Sequence, residues 1–162
     1  MHYKIVDNFL NQEAFKSLQE TIVYSASFPW YLTRGVSQKI ADDGYYFAHL
    51  FYNNSQLNSD YLNLLTPILE SINYFALRRI KANFYPTTNQ IEHHDYHSDF
   101  DIPHRGLIFY LNTNNGKTIL EDGTEIESIA NRALFFDPSI QHKSTTCTDD
   151  SVGRFNINFN FM

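Results

Sequence analysis

The sequence predicts an α+β chain that is mainly β, a sandwich or jelly roll carrying two helices near its N-terminus. Three observations predict it. Two amphipathic helical patterns come early, and about six short strand patterns follow from Arg78 onward. Aromatics are abundant, with 14 Phe, 11 Tyr and one Trp in 162 residues, and these favour strands and large cores. The last strand pattern, GRFNINFNFM, separates into one polar and one apolar face. Helices gathered on one side of a mainly antiparallel sheet fit the first observation, and pairing two sheets protects exposed edges.

Taken in order, YKIVDNFL reads as an opening strand. NQEAFKSLQETIVYS follows as a helix, with Asn11 as N-cap and Phe15, Leu18, Ile22 and Val23 at helical spacing. YYFAHLFYN is an aromatic strand. SDYLNLLTPILESINYFA carries Leu62, Leu64, Leu65, Ile68, Leu69 and Ile72, a second amphipathic helix in which Pro67 marks a kink or a later start. RIKANFY is a strand ending at Pro86, and RGLIFYLN a strand running into the turn cluster TNNG. TILEDGTEIESI predicts a hairpin, with Asp122-Gly123 suited to a type I′ turn. NRALFFDP is another strand. In the closing strand Arg154, Asn156, Asn158 and Asn160 share one face, and Phe155, Ile157, Phe159 and Phe161 the other. The polar face is solvated or lines a pocket inside the sandwich; in the second case the apolar face packs under the helices.

No internal repeat, low-complexity tract or linker divides the chain. One domain over residues 1–162 is expected, with helical support over 1–77 and a β core over 78–162. A chain of this length and 43% hydrophobic content buries roughly 70% of its unfolded surface. The formal charge is −6, from 12 Lys plus Arg against 18 Asp plus Glu, which argues against unaided nucleic-acid binding. Cys147 is the only cysteine, so neither a disulfide framework nor a cysteine zinc site is available. The start lacks the layout of a signal peptide, and no apolar run approaches the roughly 18 residues of a membrane span. A cytoplasmic protein is the expectation.

The segment IEHHDYHSDFD, residues 91–101, holds three histidines and three aspartates. It contains His-x-Asp twice, at His93/Asp95 and at His97/Asp99. Imidazole binds first-row metals and a carboxylate adds hard oxygen and charge. On an extended chain i and i+2 point the same way, so either pair delivers two ligands to one point. A third ligand must come from elsewhere. His142, just past a strand and a turn containing Pro138, is the natural candidate. His2 sits near the terminus, His49 inside an apolar strand reads as a core residue, and His104 follows Pro103 in a loop that could lie near a substrate. Two histidines and a carboxylate on one face of an ion form the facial triad of non-haem Fe(II) oxygenases.

The two pairs differ by four positions, so strand parity does not separate them. Three weaker arguments favour 97/99. Phe100 follows it, the interval to His142 accommodates the intervening strands, and 93/95 falls sooner after the turn in YPTTNQ. His93 and His94 are then expected in a loop at the pocket mouth.

The order His97-x-Asp99, His142, then Arg154 resembles the Fe(II)/2-oxoglutarate-dependent oxygenases. NRALFFDPSIQHKS, GKTILEDGTEI and KANFYPTTNQIEHHDYHSDF are similar to segments of the prolyl-hydroxylase-like branch, in particular to short members of the kind carried by bacteriophages, whose location would be the host cytoplasm. The resemblance covers roughly Arg79 to the C-terminus. It implies a double-stranded β-helix, a distorted jelly roll of cupin-like form. It implies Fe(II) at His97, Asp99 and His142, with 2-oxoglutarate and O2 as co-substrates. Arg154 would clamp the far carboxylate of 2-oxoglutarate through its planar, permanently charged fork. Where the family often has Ser or Thr two positions after that arginine, this sequence has Asn156. Tyr85 is the first choice to complete the carboxylate site, with Asn83 sharing its strand parity and Tyr110 next. The activity implied is hydroxylation of a C–H bond in a protein side chain, prolyl among them, or in a small molecule, with release of succinate and CO2. The rival expectations are a non-catalytic cupin-like metal- or sugar-binding module and an interaction protein on a jelly-roll scaffold. Neither needs a cation at Arg154.

Overall fold

The computed structural model describes residues 3–35, 44–149 and 152–162. His2 lies outside the described residues. Two sheets form a sandwich. The larger has eight strands, which include β1 (Lys4–Val6), β2 (Tyr31–Arg34), β3 (Tyr45–Asn53), β4 (Gln56–Leu57), β5 (Leu77–Pro86) and β6 (Arg105–Tyr110). The smaller has three: β7 (Asn114–Leu120), β8 (Glu125–Ser128) and β10 (His142–Ser144). The last two strands of the larger sheet are β9 (Arg132–Phe136) and β11 (Gly153–Phe161). Its order is β1-β9-β6-β11-β5-β3-β2, with β4 on β3; the smaller sheet runs β10-β7-β8. All pairings are antiparallel. The fold is the sandwich with helices on its outer face that the sequence predicts, in the double-stranded β-helix form that the resemblance implies.

The first helix, α1 (Gln12–Gln19), begins where Asn11 Oδ1 accepts from the Ala14 N–H at 2.9 Å. That satisfies one of the donors a helix start leaves open. Phe15, Leu18 and Ile22 fall on one side and are buried. A π-helical turn, Glu20–Tyr24, ends it, with Ser25 extended. The second helix differs from the single span expected over 59–76. Ser59 caps a 3₁₀ turn, Asp60–Leu65, and α2 covers only Thr66–Ser71. Pro67 occupies the first turn of α2, where its fixed φ suits a start and its missing N–H costs nothing. Ile72 is already extended.

The helices cover one face of the large sheet. Phe155, Ile157, Phe159 and Phe161 of β11 share a core with Phe15, Leu18, Ile22, Leu65 and Ile68. The opposite face looks toward the small sheet across a second cluster of Ile108, Tyr110, Leu120, Ile126, Leu134 and Phe136. Strand β11 is therefore central, paired to β5 along nearly its whole length and to β6 on the other side. Its asparagine face lies inside the sandwich rather than in solvent: Arg154, Asn156 and Asn160 are buried.

Two turns differ from expectation. The β7–β8 connection is a three-residue loop, because Gly123 N–H bonds the Leu120 carbonyl and Leu120 and Thr124 close the strands. Only Gly123 in that loop has a positive φ, at 84°, whereas a type I′ turn needs two such residues. The TNNG cluster is not wholly turn. Residues 114–116 already belong to β7, with a register shift between Asn114 and Lys117. There Asn114 Oδ1 accepts from the Gly116 N–H at 2.9 Å. In FPWYLTRGVS, Phe28 is core and Tyr31 and Leu32 are exposed on edge strand β2; residues 36 and 37 lie outside the described residues. No described helix is long and apolar enough to cross a membrane.

Candidate metal centre and anion pocket

His142 opens β10, and the chain from Glu92 to His97 runs antiparallel beside β10 and the residues after it. His97 and His142 form an isolated bridge, as do His93 and Thr145. Four steps along one side, from 93 to 97, span three on the other, from 145 to 142, so the segment is not a regular strand, and the parity that equates the two His-x-Asp pairs is broken. His97 stays on the inner side while His93 and Asp95 are exposed. His94 turns inward, unlike the mouth residue expected. It is buried, its Nδ1 lies 2.7 Å from Ser144 Oγ, and its ring is 5.1 Å from that of Tyr85.

One atom each from His97, Asp99 and His142 lie within 4.8 Å of one another, and this is the only cluster of metal-ligating side chains among the described residues. The histidine rings are 4.7 Å apart. His142 Nδ1 lies 3.0 Å from the Ile140 carbonyl, and His97 Nδ1 lies 3.3 Å from that of Asp95. A proton on Nδ1 donated to a carbonyl leaves Nε2 with its lone pair free, the tautomer a metal requires. Burial pushes the His142 pKa down, against the pull of Asp99, and favours the neutral ring. Burial alone would raise the Asp99 pKa, but Arg79 and the neighbouring histidines outweigh it and hold the group below the ordinary carboxylate value. Arg79 Nη2 donates to Asp99 Oδ1 at 2.7 Å, and the Asp99 N–H donates to the Pro138 carbonyl at 2.8 Å.

A narrow cavity leads away from the cluster. Its walls include His97, His142, Asn158, Asn156, Tyr85 and Arg154. As closed here it measures about 20 Å³, room for roughly one water. Admitting a small diacid requires its lining side chains to open. The larger hollows, about 580 Å³ each, lie elsewhere and contain no such cluster.

Arg154, on β11, is 1% exposed. Its Nε donates to Ser128 Oγ and its Nη2 to Thr118 Oγ1, both at 2.8 Å. Its Nη1 has no partner, and Arg154 forms no ion pair among the described residues. A buried guanidinium with an open donor is costly unless an anion completes it. Tyr85 and Tyr110 flank it, their rings 5.6 and 5.7 Å from its central carbon, and Tyr110 donates to Thr118 at 2.8 Å. Burial pushes both phenols' pKa up, so both remain protonated donors. Asn83 Nδ2 donates to Asn156 Oδ1 at 3.0 Å, which places both expected asparagines on the cavity face.

His49 is a core residue, its ring nitrogens 2.7 Å from the Pro29 carbonyl and from Ser59 Oγ. His104 is buried outside the cluster, with Nε2 2.7 Å from Asn160 Oδ1. The sequence reading passed over Ser128, Thr118 and Arg79. Strand alternation with Asn83 and Tyr85 places Arg79 on the cavity face, and the inward parity of β7 and β8 does the same for the two hydroxyls.

No family model matches the sequence, and no curated protein does. Solved structures match over nearly the whole chain. A viral collagen prolyl hydroxylase from Paramecium Bursaria Chlorella virus-1 is 13% identical with a TM-score of 0.66, over 99% of this chain and 95% of that one. A Pseudomonas putida prolyl-4-hydroxylase is 17% identical with a TM-score of 0.65, over 98% and 91%. An oxidoreductase of the 2OG-Fe(II) oxygenase family from Burkholderia pseudomallei is 13% identical with a TM-score of 0.69, over 98% and 84%. The chain thus has the fold of the 2-oxoglutarate/Fe(II) oxygenases, and it holds a His-x-Asp…His cluster inside that fold.

Proposed function

We propose that the protein is an Fe(II)- and 2-oxoglutarate-dependent dioxygenase that hydroxylates a C–H bond. The observation that carries this reading is the pairing of two features in one cavity: a His-Asp-His cluster at one place and a buried Arg154 with an open Nη1 donor at another. The residues fit the groups. His97, Asp99 and His142 would hold Fe(II) through two imidazole nitrogens and a carboxylate oxygen, a set suited to that ion. Arg154 Nη1 would receive the far carboxylate of 2-oxoglutarate, with Tyr85 and Tyr110 as neutral neighbours.

When bound, these groups supply the oxidising chemistry, in which 2-oxoglutarate, O2 and a substrate C–H yield succinate, CO2 and the alcohol. The chain's own residues do the rest. The Ile140 and Asp95 carbonyls fix the ring orientation of His142 and His97. Arg79 holds one oxygen of Asp99, and Ser128 and Thr118 take Nε and Nη2 of the Arg154 fork, which leaves Nη1 without a protein partner. The apolar cluster around Ile108 and Leu134 keeps that end dry, where a charge pair is strongest.

The substrate we propose is a protein side chain, prolyl among them, or a small molecule. The names of the viral and Pseudomonas putida proteins support the first. The test is anaerobic loading with Fe(II) and 2-oxoglutarate, then oxygen. A visible charge-transfer band followed by succinate, both lost in His97→Ala, is expected. Bound iron with neither band nor succinate would instead favour a metal-binding module.

A further inference from the structure

Strand β5 presents Arg79, Lys81, Asn83 and Tyr85 at alternate positions, and their partners on β11 are Asn160, Asn158, Asn156 and Arg154. Antiparallel partners share a face, so all eight belong to the cavity side. Tyr85, Asn83, Asn156 and Arg154 are used by the anion end. Arg79 and Lys81 leave β5 six and four residues from Tyr85, their Cα atoms roughly 13–20 Å from its own, beside the metal cluster, and the Lys81 ammonium also interacts electrostatically with the Tyr85 phenol.

This second end is short of negative charge. Lys81 Nζ donates to the Tyr46 hydroxyl at 3.2 Å and has no ion pair among the described residues. Arg79 spends Nη2 on Asp99, while its buried Nε has no partner. Arg79 and Asp99 both act electrostatically on the Lys81 ammonium, so two cations face one carboxylate. Burial pushes the Lys81 pKa down and Arg79 adds to that, against the pull of Tyr85 and Asp99. Asn158 Oδ1 and Asn160 Nδ2, opposite these cations, are also unpartnered. Among the described residues, the five buried side-chain atoms without partners all belong to β5 or β11.

We infer that the substrate carries a carboxylate, received by Lys81 with Arg79 Nε as second donor, beside the His97–Asp99–His142 cluster. The inference rests on the oxygenase reading and narrows its substrate class. One ammonium without an ion pair and one unpartnered N–H match a single negative charge on two oxygens. The carboxylate belongs to a small acid or to a peptide's chain end.

The experiment uses full-length protein loaded with Fe(II) and 2-oxoglutarate without oxygen. N-acetylated amino acids, which have a carboxylate and no iron-chelating amine, are titrated by calorimetry against their primary amides and against tripeptides of the same C-terminal residue. At least one acid is expected to bind about tenfold or more tightly than its amide, the loss of one charged hydrogen bond. Lys81→Met, similar in length and uncharged, is expected to erase that preference while iron and 2-oxoglutarate still bind. Binding of the N-acetyl acids assigns a small molecule; binding of the tripeptides alone assigns a chain end. Equal binding of acid and amide, no binding of any acid, or a preference surviving in Lys81→Met would overturn the inference. The acid–amide comparison in wild type stands even if Lys81→Met fails to fold. Failure of wild type to bind Fe(II) or 2-oxoglutarate would mark a different failure, that of the oxygenase reading itself.

Discussion

His97 and His142 exchange both main-chain hydrogen bonds, His97 N–H to the His142 carbonyl at 3.0 Å and the reverse at 2.9 Å. This bridge, and not any property of the His-x-Asp motif, selects the pair. It sets the two rings side by side, and the one-residue slip before it leaves His93 outside. His97→Ala is expected to lower Fe(II) or Co(II) affinity by more than the roughly 10–100-fold typical of losing an outer partner. His93→Ala should bind like wild type. Anaerobic calorimetry on the two variants checks this, and weakened binding in His93→Ala alone would move the site.

Arg154→Met removes the one buried cation aimed at the anion end. The expected outcome is about a tenfold or greater rise in the 2-oxoglutarate concentration needed for half-maximal succinate release. Metal affinity should be unchanged, because Arg154 is bonded to Ser128 and Thr118 and not to the cluster. Titration of succinate formation against co-substrate reads the first quantity and calorimetry the second. Wild-type behaviour at low co-substrate would refute the clamp.

Much of this site was legible in one strand. The alternation of Arg154, Asn156, Asn158 and Asn160 with four apolar residues marks a strand with one face in a core and one in a cavity. The cap at Asn11 and the strand over Tyr45–Asn53 were equally local signals. What sequence could not supply was register. His93/Asp95 and His97/Asp99 look equivalent until β10 docks beside them, and Arg79 becomes notable only once Asp99 is placed against it. The second helix was overextended because Leu and Ile spacing continues past Ser71, while the backbone turns extended at Ile72 to bury that side chain. The Asp122-Gly123 turn was misread because both a two-residue and a three-residue loop place Gly at a positive φ.

Arg79 is a positioning residue for Asp99, acting through the 2.7 Å bond between them. Arg79→Met would leave the Asp99 carboxylate buried with its nearest counter-charge removed, which is strongly destabilising unless a metal replaces it. The metal-free variant should therefore melt well below wild type, and saturating Co(II) should recover a larger part of its stability than it adds to wild type. Metal affinity itself should fall about 10–100-fold. Melting curves with and without Co(II) separate this from a general packing defect, which metal would not repair.

Burial holds the His49 pKa below its ordinary value of 6.5, against the opposing bond to the Pro29 carbonyl. The native ring thus refuses a proton that the unfolded chain accepts. By linkage, stability is full above about pH 6.5 and declines as pH falls below it, toward the lower folded value. His142 is shifted the same way and adds to the slope in metal-free protein. His49→Gln, which keeps a donor and an acceptor, should flatten the fall in melting temperature between pH 7.5 and 5.5 without abolishing it. An unchanged slope would mean His49 does not titrate with unfolding.

Gly116 offers a way to disturb the anion end without touching a ligand. A Cβ there would lie 2.7 Å from the Thr146 carbonyl oxygen and 2.8 Å from Arg154 Cδ. The carbonyl belongs to a segment held by the Thr146 N–H bond to Glu92 and is slow to yield, so the Arg154 side chain must shift. A displacement of even part of an ångström misaligns a guanidinium fixed at Nε and Nη2 by Ser128 and Thr118. Gly116→Ala is therefore expected to raise the 2-oxoglutarate requirement, as Arg154→Met does, while the distant metal cluster keeps its Co(II) affinity. Combining the two substitutions should add little to Arg154→Met alone, since both act on one interaction. Full additivity in the double variant would place the effect of Gly116 elsewhere.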